Sequence, residues 1–164
     1  MNPIFERVSI RKYEDRPVEP EKIEMILRAA MAAPSGGNQQ PWEFCVVRDR
    51  QKIRDLAACS PYAGCAAGAP VLIVPCIRTK GLKFPDIAPI DMAVTTENIL
   101  LEITALGLGG VWLCVEPVKD RAAYVDSVLG IGEDLHAFAI VALGYPAEGH
   151  PQKDRFDPAR IHEC

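Results

Sequence analysis

Three stretches concentrate groups able to hold a ligand. In RVSIRKY (residues 7–13), Arg7, Ser9 and Arg11 alternate with Val8 and Ile10. An extended backbone has a side-chain period of two, so both guanidiniums and the hydroxyl fall on one face. Such a face can fork onto a phosphate, with Ser9 adding a hydrogen bond, although the same pattern also describes a solvated edge. In PSGGNQQPWEF (34–44), Ser35, Asn38, Gln39 and Gln40 are neutral donors and acceptors, while Gly36 and Gly37 let the backbone come close to a flat ligand. This stretch has one carboxylate and no histidine, cysteine or lysine. It can read the edge of a polar heterocycle without moving protons, or it is an ordinary helix-to-strand turn anchored by Trp42. In PQKDRFD (151–157), Lys153 and Arg155 stand two apart, as a second cation pair or as a solvated charged segment.

Other chemistries find little support. The six cysteines, Cys45, Cys59, Cys65, Cys76, Cys114 and Cys164, form no Cys-x-x-Cys, and His136, His150 and His162 are isolated. No metal ligand set is therefore expected, and no catalytic acid–base dyad is read from the sequence. A net charge of -4 argues against a nucleic-acid binder, because a phosphate backbone demands a basic face. No apolar run reaches the roughly 20 residues of a membrane span, and MNPIFERVSIRKYEDRP has no signal-peptide character. The expected location is the cytoplasm. At 164 residues the expectation is one domain with one sizeable core.

The elements that must position these groups follow from periodicity. Asn2-Pro3 signals a short helix carrying Ile4, Phe5 and Val8. A second helix starts near Pro20, with Ile23, Ile26, Leu27 and Ala30 at helical spacing, and Pro34 stops it. Residues 43–47, 70–76, 111–115 and 137–145 read as strands, and 50–59, 87–106 and 118–130 as helices. Gly107 to Gly110 caps the longest helix and sets the approach of the 111–115 strand. GLGG follows a helix and precedes a strand, the reverse of a dinucleotide-binding loop. Alternating helices and buried strands by themselves predict helices on both faces of a parallel sheet. The polar, proline-rich segment from Pro146 onward cannot form a core alone and is either frayed or laid along another surface.

Taken in order, RVSIRKY, PSGGNQQPWEF, APVLIV, DMAVTTENILLEITALGLGGVWL, and ALGYP followed by KDR resemble the FMN-dependent nitroreductase family, in particular its short members. The resemblance covers nearly the whole chain. It implies an α+β fold with a mostly antiparallel central sheet flanked by helices, in place of a parallel sheet. It also implies a homodimer with exchanged terminal segments, residues 146–164 forming an arm along the partner subunit of a single FMN-binding domain spanning 1–164.

Position by position, the resemblance places Arg7 and Ser9 on the phosphate and ribityl chain and Arg11 near the pyrimidine side of the flavin. Lys153 and Arg155 would close on the phosphate. Pro34, Ser35, Gly36 and Asn38 would approach the partner's flavin, with Trp42 and Phe44 anchoring that loop. Trp112, Leu113 and Cys114 would pass the ring near its reactive nitrogen. Family members often carry a small or acidic residue at the position of Cys114. Here it reads as a buried apolar strand thiol, with tuning of the flavin as the other reading. The implied activity is hydride transfer from NAD(P)H through FMN to a nitroaromatic, a quinone or a similar small electrophile. Reductive dehalogenation, flavin breakdown, or a flavin module reduced by a protein partner are the alternatives. Hydride transfer needs positioning and stacking more than acid–base groups, so the lack of a dyad is consistent with it.

Overall fold

The computed structural model describes residues 2–164. Its elements are α1 (Pro3–Glu6), α2 (Pro20–Met31), β1 (Trp42–Val47), α3 (Arg50–Ala57), β2 (Val71–Arg78), α4 (Ala88–Ala105), β3 (Gly109–Cys114), α5 (Lys119–Leu129), β4 (Leu135–Ala137) and β5 (Ala139–Gly144). Short 3-10 turns at Gly36–Asn38, Gly64–Gly68, Pro85–Ile87 and Pro158–Arg160 lie between or beyond them. Asn2 caps α1 by accepting from the Ile4 N–H at 3.2 Å, but Ile4 and Phe5 project into solvent. Asp49 caps α3 by accepting from the Lys52 N–H at 2.8 Å, and Gly130, left-handed at φ 70°, closes α5. Among the described residues no helix is long and apolar enough to cross a membrane.

The strand order is β1-β2-β5-β3, with β4 also on β2, and every pairing between named strands is antiparallel. The antiparallel sheet expected from the family resemblance is therefore present, and the parallel sheet expected from helix–strand alternation is not. The reason is an insertion. β2 and β3 are each antiparallel to β5, so β2, α4 and β3 do form a parallel crossover, but β5 lies between its two strands. Local periodicity detects the crossover and carries no information about which later strand fills the gap.

Two helical layers explain why β2 is apolar as far as Ile77 and β5 along its whole length. Leu72, Val74 and Cys76 face Ile53 and Leu56 of α3 and Val125 of α5. Val71 and Ile73 face Ile23 and Ile26 of α2 and Ile99 and Ile103 of α4. Each fully buried aliphatic side chain contributes about 1.5–3 kcal/mol. Side-chain hydrogen bonds join α2 to α4: Thr95 Oγ1 to the Ala30 carbonyl, and Asn98 Nδ2 to the Ala29 carbonyl at 3.0 Å. Trp42 is buried with Ala33, Met92 and Phe138, and Phe44 packs against this cluster, as anchoring of the preceding loop required.

Candidate functional site

β3 is an edge strand, and the site is built along its open side. The segment carrying Arg7, Ser9 and Arg11 runs beside it, with a parallel bridge from Ser9 to Gly110 and a 3.0 Å bond from the Ile10 N–H to the Gly110 carbonyl. This approach depends on glycine: a Cβ at Gly109 would lie 2.7 Å from Ile10 Cβ, and one at Gly110 would lie 3.2 Å from the Ala142 carbonyl oxygen. Tyr13 anchors the far end. Its hydroxyl lies 2.7 Å from the Ile10 carbonyl and 3.1 Å from that of Ala142, and burial raises its pKa well above the ordinary phenol range.

The C-terminal cations meet the N-terminal ones. Residues 147–152 dock on the same segment through Ala147 N–H to the Lys12 carbonyl at 3.0 Å and Arg11 N–H to Glu148 Oε1 at 2.7 Å. Gln152 completes the clamp, donating from Nε2 to the Arg7 carbonyl at 2.9 Å while its Oε1 accepts from Arg155 Nη1 at 3.1 Å. The result is a cavity of about 290 Å³ lined by Arg7, Val8, Ser9, Arg11, His150 to Lys153 and Arg155. Arg7 is partly offset by Glu97, 3.6 Å away, but no carboxylate lines the cavity. Its cluster of cations suits a phosphate.

A second cavity of about 330 Å³ shares Arg11 and continues along β3, lined also by Ser60, Tyr62, Val111, Trp112, Leu113, Cys114 and Arg121. The carbonyls of Gly110 and Cys114 both point to this outer edge, the first accepting from Ile10 N–H and the second from Arg121 Nη1 at 2.6 Å. Because strand polarity alternates, Trp112 between them presents its N–H and C=O to the same edge. Neither group has a protein partner there among the described residues. An edge of this kind can hydrogen-bond the polar rim of a planar heterocycle. Cys114 is exposed in this cavity, its Sγ donating to the Glu116 carbonyl at 3.2 Å, which corrects the expectation of a buried thiol. Its register position puts its backbone in the ladder, and the strand ends there, leaving the side chain uncovered.

Pro34, Ser35, Gly36 and Asn38 line neither cavity. Their loop is fixed against α4 by the buried Asp91, whose carboxylate accepts from the Gly36 N–H at 2.9 Å and from Gln39 Nε2 at 2.8 Å. Gln39 in turn accepts from the Phe84 N–H at 3.0 Å. Left-handed backbone at Gly37, Asn38 and Gln40 turns the chain, at a cost for the two non-glycine residues.

The Nitroreductase family model matches this chain over residues 4–64 and 58–145. The chain belongs to the nitroreductase family. A protein of Archaeoglobus fulgidus, provisionally named NADH dehydrogenase/NAD(P)H nitroreductase, is 44% identical over 163 residues, covering 97% of this chain and 94% of that one. The crystal structure of a provisionally named NADH oxidase from Clostridium acetobutylicum superposes with a TM-score of 0.94 at 43% identity, over 98% and 97% of the two chains. A provisionally named nitroreductase from Desulfovibrio desulfuricans, solved in complex with FMN, has a TM-score of 0.86 at 32% identity, over 99% and 95%.

Ser60, Tyr62, Arg121 and Gln152 line these cavities and were not singled out in the sequence, and His150, which read only as an isolated histidine, lines the first of them. Gln152 could have been found as the amide beside the Lys153–Arg155 pair. Arg121 carries no local signal, since it is one charge among several at the start of an amphipathic helix.

Proposed function

We propose that the chain is an FMN-dependent oxidoreductase in which NAD(P)H reduces the flavin, leaves, and a conjugated electrophile such as a nitroaromatic or quinone takes its place. The observation that carries this reading is that the two cavities lie side by side with Arg11 lining both. A carboxylate-free cluster of cations stands next to a free strand edge, which is the charge pattern of a phosphate-bearing flat heterocycle. Arg7, Lys153 and Arg155 would hold the phosphate, with Ser9 donating a hydrogen bond to it or to the ribityl chain. Arg11 would stand at the pyrimidine side, where a fixed positive charge favours electron gain by the ring. Trp112 to Cys114 would hold the ring's polar rim by backbone groups. When bound, FMN supplies the hydride chemistry itself. The protein's contribution is orientation, so no side chain is assigned as a proton donor.

The reading includes a homodimer. Ile4, Phe5, Phe84, Ile90, Phe156 and Ile161 are large apolar side chains exposed on the single chain, and residues 153–164 are exposed throughout. A second copy covering them would let the 146–164 arm extend along it from its docked beginning. The loop bearing Pro34, Ser35, Gly36 and Asn38, which lines neither of its own chain's two cavities, would then serve the neighbour's flavin.

The double variant Arg7→Ala, Lys153→Ala tests the site. It should lose FMN, measured by the absorbance ratio of purified protein, while its circular dichroism and thermal transition stay near wild type. Full flavin content would sink the assignment. Anaerobic mixing tests the activity: NADH or NADPH should bleach the yellow protein, and bleaching only by a protein donor would overturn the nicotinamide part.

A further inference from the structure

The two cavities that share Arg11 count Arg7, Arg11, Arg121, Lys153 and Arg155 among their lining residues and no carboxylate, in a chain whose net charge is -4. The proposed flavin uses four of these cations. Its phosphate carries nearly two negative charges and faces Arg7, Lys153 and Arg155, while charge gained by the ring faces Arg11. Arg121 is left without a counterpart.

Its surroundings make it a receptor and not a stray surface charge. Arg121 is half-buried in the first turn of α5, where the helix dipole adds to its positive potential. One guanidinium nitrogen is tied to the Cys114 carbonyl at 2.6 Å, which holds the group beside the end of β3. A guanidinium has five N–H donors, so those not directed at Cys114 are available for a bidentate contact. Among the described residues no carboxylate lies within ion-pairing distance of it. Its neighbour Asp120 is exposed and shares with Arg121 and Ser60 a further cavity of about 310 Å³, but it makes no ion pair with Arg121 and does not line the cavity along β3. The Ser60 and Tyr62 side chains border the same space, and Tyr62, 84% exposed, leaves that side open to an entering molecule.

We infer that Arg121 is a specificity-determining residue that binds an anionic group, carboxylate or phosphate, on the molecule that enters the cavity to exchange electrons with the flavin. The inference rests on the flavin reading above. The anion has two sources: an acidic conjugated acceptor, or the pyrophosphate of the nicotinamide donor.

The test uses flavin-loaded wild type, Arg121→Gln and Arg121→Lys. The acceptor arm compares kcat/KM for 4-nitrobenzoate and nitrobenzene, and the donor arm compares NADH with an N-benzyl dihydronicotinamide that lacks phosphate. In Arg121→Gln the charged-to-neutral ratio should fall by roughly tenfold or more in one arm, that of the true source, and Arg121→Lys should recover part of it. Calorimetric titration with benzoate and with pyrophosphate gives a readout independent of turnover, with the Kd of the matching anion rising by a similar factor in Arg121→Gln. Unchanged ratios in both arms, or flavin lost from Arg121→Gln in proportion to activity, would overturn the inference, the second result assigning Arg121 to the flavin. A wild-type protein that takes up no FMN would instead defeat the underlying reading.

Discussion

Glu148 ties the start of the C-terminal segment to the Arg7–Arg11 segment. The Arg11 backbone N–H donates to its carboxylate, which holds its pKa below the usual carboxylate range, with desolvation opposing and His150, 3.6 Å away, assisting. A pKa lowered on docking means that the docked form is favoured above the ordinary carboxylate value. The contribution fades as pH falls through the lowered one. Glu148→Gln should therefore weaken flavin retention relative to wild type at neutral pH. The difference should vanish at the acid end, as followed by flavin fluorescence on release. A gap between the two proteins that persists well below the carboxylate range would count against the docking role. The same residue shows the limit of a motif: Lys153 and Arg155 are visible as a pair, but the acid and the Gln152 amide that turn them toward Arg7 become meaningful only once residue 11 is beside residue 148.

At the scale of elements, the separation between β3 and the Arg7–Arg11 segment decides whether the cavity exists. Gly109 sets that separation, since its added Cβ would meet Ile10 Cβ at 2.7 Å and both Ile10 γ carbons at 2.8 Å, all near a β-branched backbone with little freedom to yield. Gly109→Ala should cost about 1–3 kcal/mol of stability through overpacking. It should also reduce FMN affinity beyond what that loss explains, because the displaced segment carries Arg7, Ser9 and Arg11. Denaturant unfolding and flavin titration of the same sample separate the two effects, and unaltered FMN affinity would show that the segment does not position the site. Gly107 to Gly110 reads in the sequence as a cap that sets a strand. The cap is real, with Gly107 left-handed at φ 71°, but the second pair of glycines serves close approach by another segment, which no helix-end rule anticipates.

For the whole molecule, the exposed apolar residues and the Pro34–Asn38 loop make one joint prediction. Ile90 and Val94 stand four residues apart on α4 and are both exposed, at 63% and 37%, so they form a stripe on a helix otherwise packed against the sheet. Ile90→Glu should shift sedimentation from two chains toward one and lower flavin content with it, since the loop at Pro34 to Asn38 would no longer reach a neighbour's ring. A monomer that keeps its full flavin would separate the dimer from the site.

Composition and periodicity alone excluded metal, nucleic-acid and membrane-span readings as expectations, located the main helices and strands, and picked out Arg7, Arg11, Lys153 and Arg155 as cations, with the Ser9 hydroxyl among them, in non-core segments. These are local properties, set by side-chain type and by repeats of two or 3.6 residues. Tertiary structure alone decided that β5 enters between β2 and β3, that residues 7–11 and 147–155 enclose one cavity, that Cys114 is exposed, and that Arg121 joins them. Each of those facts depends on contacts between residues far apart in the chain, which packing and strand pairing select and no short window of sequence contains.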